Sequence, residues 1–452
     1  VGSGKSLDYC DLTDVGRRRS NNQDAKAVLD AWSPEQYRTR GWLFLVADGM
    51  GAHAAGEMAS AIAAKSVPLI YEKLASRSPP LALRSSIQQA NEEIHARGES
   101  AFDLRGMGTT CTTLVIGQRG VLVGHVGDSR AYRVRANRIE QLTSDHSLAW
   151  EVEAQRAKSG DASSEHSPSV PKNIITRSLG PHARVDVDLE GPFPVSEGDV
   201  YVVCSDGLSG QVADEEIGAL VTELPPADAA AALVGLTLVR GAPDNVTLVV
   251  ARAGPKEKTA ANANATPWPL TESKAAQGTP SLPLGPLTVA AGGLLGALLF
   301  NPAALLGEQG LLGGWLFGAM ASPLGWALTG LMVLLCVSGI VASIVALMPS
   351  ASDEMLVLRP GARLGKGPYR AYDCGLSNTI VDGIVASVET AADGLSDTER
   401  RQALDRVTAA RQAMARGDLT AALADAAAAI AVYRKSVVSA RNDDTLRTDG
   451  TA

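Results

Sequence analysis

The chain has 452 residues, and at about 100–200 residues per domain this is too long for one ordinary core, so two or three units are expected. A formal net charge of -8 gives no overall basic footprint, which sets nucleic acid aside as a partner. Five cysteines, Cys10, Cys111, Cys204, Cys336 and Cys374, lack CxxC spacing and fit reduced thiols in a cytosolic setting.

No basic and then apolar leader opens the sequence, so the N-terminal part is expected in the cytoplasm. Gly2-Ser3-Gly4-Lys5-Ser6 matches only the end of a phosphate-binding loop and follows no strand, so it is set aside. From about residue 7 to 253, the chain mixes short β-rich runs with amphipathic segments. Trp42-Leu43-Phe44-Leu45-Val46-Ala47, Val121-Leu122-Val123-Gly124-His125-Val126 and Val200-Tyr201-Val202-Val203-Cys204 read as buried strands. Residues 55–76 and 81–97 carry apolar positions at helical spacing. Strand runs and helix runs cluster separately, which predicts an α+β layered domain over residues 1–254.

Residues 255–284 turn to Ala, Asn, Thr, Ser, Lys and Pro, the composition of a flexible linker. Within 285–349, the stretches 287–306 and 324–348 are apolar and nearly free of charge over about 20–25 residues each, enough to cross a hydrocarbon core, so two transmembrane helices are expected. A shorter apolar piece at 311–322 is either re-entrant or an extension of one of them. The segment 350–452 begins basic and then becomes Ala-rich with helical periodicity from about 378 to 438, predicting a largely helical tail with a break near Gly417. Its Leu364-Gly365-Lys366-Gly367 run lacks the third glycine of a kinase loop. Lys274 before the first span, and Arg359, Arg363, Lys366 and Arg370 after the second, put both flanks inside by the positive-inside rule, with Glu308 on the far side.

The chemistry lies in aspartates at strand edges. Asp48 ends the Val46-Ala47 run, Asp128 follows His125-Val126-Gly127, Asp206 follows Cys204-Ser205, and Asp244-Asn245 opens a last strand. A single Asp-Gly pair is usually a turn, but side chains at the edges of different strands converge on one site. Clustered carboxylates without matching His and Cys select hard cations such as Mn²⁺ or Mg²⁺. Two such ions sharing a water perform in-line phosphoester hydrolysis.

The ordered motifs resemble those of bacterial members of the protein phosphatase 2C (PPM) family over about residues 7–252. They are Arg19-Ser20-Asn21-Asn22-Gln23-Asp24, Asp48-Gly49-Met50-Gly51-Ala52-His53, Met107-Gly108-Thr109-Thr110, Gly127-Asp128-Ser129-Arg130, Ser144-Asp145-His146, Ser205-Asp206-Gly207 and Asp244-Asn245. The resemblance implies packed antiparallel sheets flanked by helices, with metals at one end of the sandwich. It implies that Asp48 bridges two metals, the Gly49 carbonyl binds one, and Asp206 and Asp244 complete the other. Asp24 would act through water, Asp128 would serve a third, weaker ion, and Arg19 would grip the substrate phosphate. His53 is a candidate proton donor to the leaving alkoxide, with a loop-structuring role as the alternative. His125 and His146 are expected to be packed beside the strands. Gln23 stands where many members have Glu, Ala52 replaces a glycine, and residues 146–173 depart from the family's flap.

The function expected is hydrolysis of phosphoserine and phosphothreonine on cytoplasmic proteins, tethered to the cytoplasmic membrane and opposing a bacterial-type Ser/Thr kinase. Catalytic domain and tail would both face the cytoplasm. All motifs precede the linker, so residues 1–255 are expected to act alone. The rival is a phosphatase-like membrane scaffold or sensor module.

Overall fold

The structure is a computed structural model that describes residues 7–51, 55–159, 171, 174–255, 268–269, 357–359 and 361–449, with scattered positions between 291 and 340. It divides into two compact units, Val1–Leu270 with Val357–Ala452, and Thr271–Leu356.

The first unit opens with β1 (Leu7–Asp14), β2 (Asp24–Leu29), the short helix α1 (Pro34–Thr39) and β3 (Trp42–Met50). Ser33 starts α1 by accepting from the Gln36 N–H, while Gln36 reaches back to the Ser33 N–H and Pro34 occupies the first turn. Helices α2 (Ala55–Lys73) and α3 (Pro79–Ser100) follow, then β4 (Gly108–Thr109), β5 (Cys111–Gly117), β6 (Gly120–Val126), β7 (Arg130–Arg135) and β8 (Arg138–Gln141). Next come α4 (Leu148–Ser159), β9 (Asp188–Phe193), β10 (Val200–Cys204), α5 (Asp206–Ser209), α6 (Asp214–Glu223), α7 (Pro226–Val239) and β11 (Val246–Ala253). The remaining elements are β12 (Trp268–Pro269), β13 (Val357–Leu358), β14 (Ala362–Arg363), β15 (Ala371–Asp373), α8 (Asn378–Ala391), α9 (Asp397–Ala415) and α10 (Leu419–Asp449).

Two large antiparallel sheets form, one of six strands in the order β1-β11-β10-β7-β8-β15 and one of seven in the order β14-β9-β6-β5-β3-β2, with β4 beside β3. Strand alternation divides each apolar run between two cores. Trp42, Phe44 and Val46 of β3 enter the core between the sheets with Tyr201, Val203 and Val249. Leu43, Leu45 and Ala47 turn the other way, onto Ala59, Ala63, Leu83 and Ile87 of α2 and α3. The runs read as continuous in sequence because both faces are covered. The expected α+β fold of antiparallel sheets flanked by helices is thus present.

A third core lies on the outer face of the six-stranded sheet, where Val202, Leu248 and Val250 meet Ile217, Leu233 and Leu236 of α6 and α7. The same core takes in Val381, Ile384, Val407, Leu423, Ile430 and Tyr433 from the helices after residue 357. The sequence boundary at 254 therefore separates segments that pack together. The returning segment also extends both sheets, Ala362–Arg363 pairing with Gly191 and Glu190, and Ala371–Asp373 with Arg138–Glu140. The helical tail with a break near Gly417 is as expected; Gly417 takes φ +77° between α9 and α10.

Among the described residues, no helix is long and apolar enough to cross a membrane. The stretches 287–306 and 324–348, expected as spans, fall almost wholly outside the described residues, as do Ala52, His53 and most of 160–173.

Candidate active site

Strand pairing sets the first pair of acids. Asp24 and Asp48 stand directly opposite one another in the β2–β3 ladder, so their side chains share one face of the sheet. Backbone bonds fix Asp48 from behind. Its N–H donates to Thr110 Oγ1 at 2.8 Å, and its carbonyl accepts from the Thr110 N–H and Thr109 Oγ1, each at 2.9 Å. Thr110 in turn is hydrogen-bonded to Ser129 Oγ at 2.7 Å, which ties the strand end carrying Asp48 to the turn carrying Asp128.

The glycines beside two of the acids are required by close approach. A Cβ on Gly49 would lie 2.2 Å from the Gly56 carbonyl oxygen, and one on Gly207 would lie 1.9 Å from that of Asn245. Only glycine lets the Asp206 turn sit against the Asp244-Asn245 turn. Asn245 holds this junction: its Oδ1 accepts from the Gln23 N–H at 2.8 Å, and its Nδ2 donates to the carbonyls of Val15 and Asn21 at 2.8 and 3.0 Å. Ser205, fully buried, donates to Asp24 Oδ2 at 2.8 Å. Sequence reasoning quoted Ser205 and Asn245 inside motifs but gave them no role. The available signal was a polar residue at the buried end of an apolar strand.

The acids are held at an electrostatic cost. Burial raises Asp24 to about 7, with the nearby Asp206 and Asp244 charges pushing the same way and bonds from Ser205 and Thr247 opposing. Burial likewise raises Asp128 to about 7. Asp48 lies well above the usual carboxylate range, through burial first and then the charges of Asp24, Asp206 and Asp128. Burial also raises Asp206, and a hydrogen bond from Asp48 partly offsets this. Oδ1 of Asp128 and Oδ1 of Asp206 are buried and have no hydrogen-bond partner among the described residues. Arg19 reaches the cluster from the half-exposed rim, its Nη2 donating to Asp244 Oδ2 at 2.8 Å.

The structure thus brings together Asp24, Asp48, Gly49, Asp128, Asp206, Asp244 and Arg19, while His53 lies outside the described residues. His125 and His146 are packed as expected. His125 Nδ1 is hydrogen-bonded to Thr112 Oγ1 at 2.9 Å, and His146 joins the Gly127 N–H to Asp188 at 3.0 Å each. Among the described residues, no three His, Cys, Asp or Glu side chains are closed into a ready ion cage. The donor set still suits hard divalent cations: it is all oxygen, and two of its buried oxygens are orphaned among the described residues.

The protein phosphatase 2C family profile matches residues 16–233. The serine/threonine phosphatase stp of Listeria monocytogenes is 36% identical over 211 residues, covering 45% of this chain and 79% of that protein. The chain belongs to the protein phosphatase 2C family. Protein phosphatase PhpP of Streptococcus pneumoniae is 34% identical over 244 residues, covering 53% of this chain and 94% of its own. The crystal structure of the Mycobacterium tuberculosis serine/threonine phosphatase PstP/Ppp, 34% identical, covers 55% of this chain and 99% of that one with a TM-score of 0.45. The resemblance read from the motifs is therefore correct, and the enzyme is a protein serine/threonine phosphatase of the metal-dependent, bacterial type.

Proposed function

We propose that the first unit hydrolyses phosphoserine and phosphothreonine with two Mn²⁺ or Mg²⁺ ions in the carboxylate cluster, and that a third ion is held more weakly. The observation that carries this is the convergence of buried carboxylates, with unpartnered oxygens on Asp128 and Asp206. Asp48, at the centre, would bridge two ions. The Gly49 carbonyl would complete one site and Asp206 with Asp244 the other, while Asp24 acts through water and Asp128 serves the third. Bound cations supply an acidified water and neutralise charge on the phosphoryl oxygens.

The chain's own residues do the rest. Arg19 presents a planar fork that suits phosphate oxygens, and it sits half-exposed on Asp244, open to an incoming phosphate. Ser205 and Asn245 hold Asp24 and the Asp244 turn in place. His53, two residues after Gly51 in sequence, is proposed to protonate the leaving alkoxide.

The test is hydrolysis of a phosphothreonine peptide by the full chain with Mn²⁺ and with a chelator, alongside calorimetric Mn²⁺ titration of wild type and Asp206→Asn. Turnover only with metal, and weaker Mn²⁺ binding by Asp206→Asn, are expected. Undiminished hydrolysis in the chelator overturns the mechanism.

The setting is proposed as the cytoplasmic face of the membrane, with 287–306 and 324–348 as two crossings and a Ser/Thr kinase as the activity opposed. Charge bias supports this, since Lys274 and the Arg359 to Arg370 group flank a stretch between the crossings that has no Lys or Arg. Further support comes from β12 and β13, antiparallel partners through Trp268↔Leu358 and Pro269↔Val357, which bring the two ends of 270–356 side by side.

A further inference from the structure

Beside the carboxylate cluster lies a cavity of about 450 Å³ whose wall includes Asp128 and Asp206. The returning segment contributes to the same wall through Arg370 and Tyr372, opposite in sequence to Val212, Asp214 and Glu215 at the start of α6. The cavity as it stands is thus built from both the strands and helices before residue 254 and the returning segment.

Its charges are unequally matched. Asp145 is neutralised by Arg130, whose Nε and Nη2 donate to Oδ2 at 3.0 and 2.8 Å. Arg370 is engaged with α4, its guanidinium 4.0 Å from the centre of the Trp150 ring and paired with Glu153. Asp214 accepts from the Tyr132 hydroxyl at 2.9 Å, and its oxygen is 3.8 Å from the already committed Arg130 Nη1. Glu215 is half-buried next to it. What remains is a negative end at Asp214 and Glu215 and an apolar side at Val212 and Tyr372. A separate feature joins the cavity to the reacting centre: Asp128, one of the residues lining it and 7% exposed, has an Oδ1 with no hydrogen-bond partner among the described residues.

We infer that this cavity is a subsite for a lysine or arginine side chain adjacent to the phosphorylated residue of the substrate, and that the returning segment supplies part of its specificity. The inference rests on the phosphatase reading, because Asp128 and Asp206 set the cavity next to the phosphoryl position. A long basic side chain lays its methylenes along apolar surface and keeps its charge on a polar partner, here Tyr372 and Val212 for the stem and Asp214 and Glu215 for the head. An acidic neighbour would meet like charge in a partly desolvated pocket.

The experiment compares three phosphothreonine peptides differing only in an Arg, Ala or Glu next to the phosphoresidue, using the full chain at saturating Mn²⁺. Wild type is expected to favour the Arg over the Ala peptide by about tenfold in kcat/KM, carried by KM, with the Glu peptide poorest. Glu215→Gln and, independently, Tyr372→Ala should reduce the Arg-to-Ala ratio to about threefold or less, and thermal melting with Mn²⁺ verifies that each is folded. A wild type indifferent to the flanking residue, or an Arg-to-Ala ratio unchanged in folded Glu215→Gln, overturns the subsite. A wild type that hydrolyses neither the peptides nor p-nitrophenyl phosphate overturns the phosphatase reading beneath it.

Discussion

If the returning helices and the phosphatase half share one core, two residues far apart in sequence must be energetically coupled. A Cβ at Gly235 in α7 would lie 2.3 Å from Ile430 Cγ2 in α10, and Ile430 itself is fully buried. Gly235→Ala forces Ile430 to move, an overpacking cost of about 1–3 kcal/mol, reduced by about 0.5–1 kcal/mol because alanine favours the helix. Ile430→Ala removes buried methylenes and should cost about 2–5 kcal/mol. In the double variant the new methyl enters the space that Ile430 vacated. Its destabilisation should fall short of the sum by about 0.5–3 kcal/mol, the range measured for residues in contact. Urea unfolding of the full chain, followed by tryptophan fluorescence and by loss of phosphatase activity, gives both numbers, and the two midpoints should move together. Additive effects, or an activity midpoint untouched by Ile430→Ala, would refute the shared core. The same packing predicts that residues 1–255 alone, with Leu233, Leu236 and the outer face of the six-stranded sheet partly uncovered, will be much less stable than the full chain.

Three further outcomes are expected. Burial raises Glu190 to about 7 against bonds from the Tyr369 hydroxyl at 2.7 Å and the Gly365 N–H at 2.9 Å. A folded value above the unfolded one means that stability present below about 4.5 is lost as pH rises through about 7, a loss on the order of 3 kcal/mol for this nearly inaccessible side chain. Glu190→Gln at saturating Mn²⁺ should flatten the decline of urea stability from pH 5 to 8, and an unaltered slope would exclude Glu190 as its source. Arg19→Ala should raise KM several-fold with kcat nearly held if the guanidinium grips phosphate equally in ground and transition states; a pure kcat loss would reassign it to transition-state stabilisation. For topology, a reporter active only outside the cytoplasm should give signal when fused at Gln309 and none at Ala452, and signal at Ala452 would overturn the two-crossing arrangement.

The parts of the fold legible in sequence are those whose pattern is local. The runs at 42–47, 121–126 and 200–204 announced buried strands because helices cover one face and a second sheet the other. The order of Asp48, Asp128, Asp206 and Asp244 announced a cluster because each ends or opens such a strand. Register was not legible: nothing local states that Asp24 faces Asp48, since that depends on where β2 slides along β3. Nor were Ser205 and Asn245, whose roles lie in bonds to Asp24, Gln23 and Val15, residues far away in the chain. The returning strands β14 and β15 are two and three residues long, too short for any periodicity to register. The helices after 378 showed an apolar face, but Ala-rich periodicity does not name the surface that covers it.

That covering surface bears on how the chain runs between residues 270 and 357. The returning segment touches the site on two sides. Arg370 and Tyr372 line the cavity at Asp128 and Asp206, while in α10 the Tyr433 hydroxyl accepts from Arg17 at 2.8 Å and Arg441 Nη1 donates to Asp14 Oδ1 at 2.8 Å. Arg17 and Asp14 belong to the turn that leads to Arg19, and Gly16 in that turn has no room for a Cβ, which would lie 2.1 Å from the Asp244 carbonyl oxygen. A segment that builds the phosphatase unit in this way occupies the same compartment as the unit. On the proposed membrane reading, a chain leaving and re-entering one folded unit crosses the bilayer an even number of times, which favours two crossings over three. Three crossings would strand β14, β15 and the helices of 378–449 on the side opposite the strands and helices they cover.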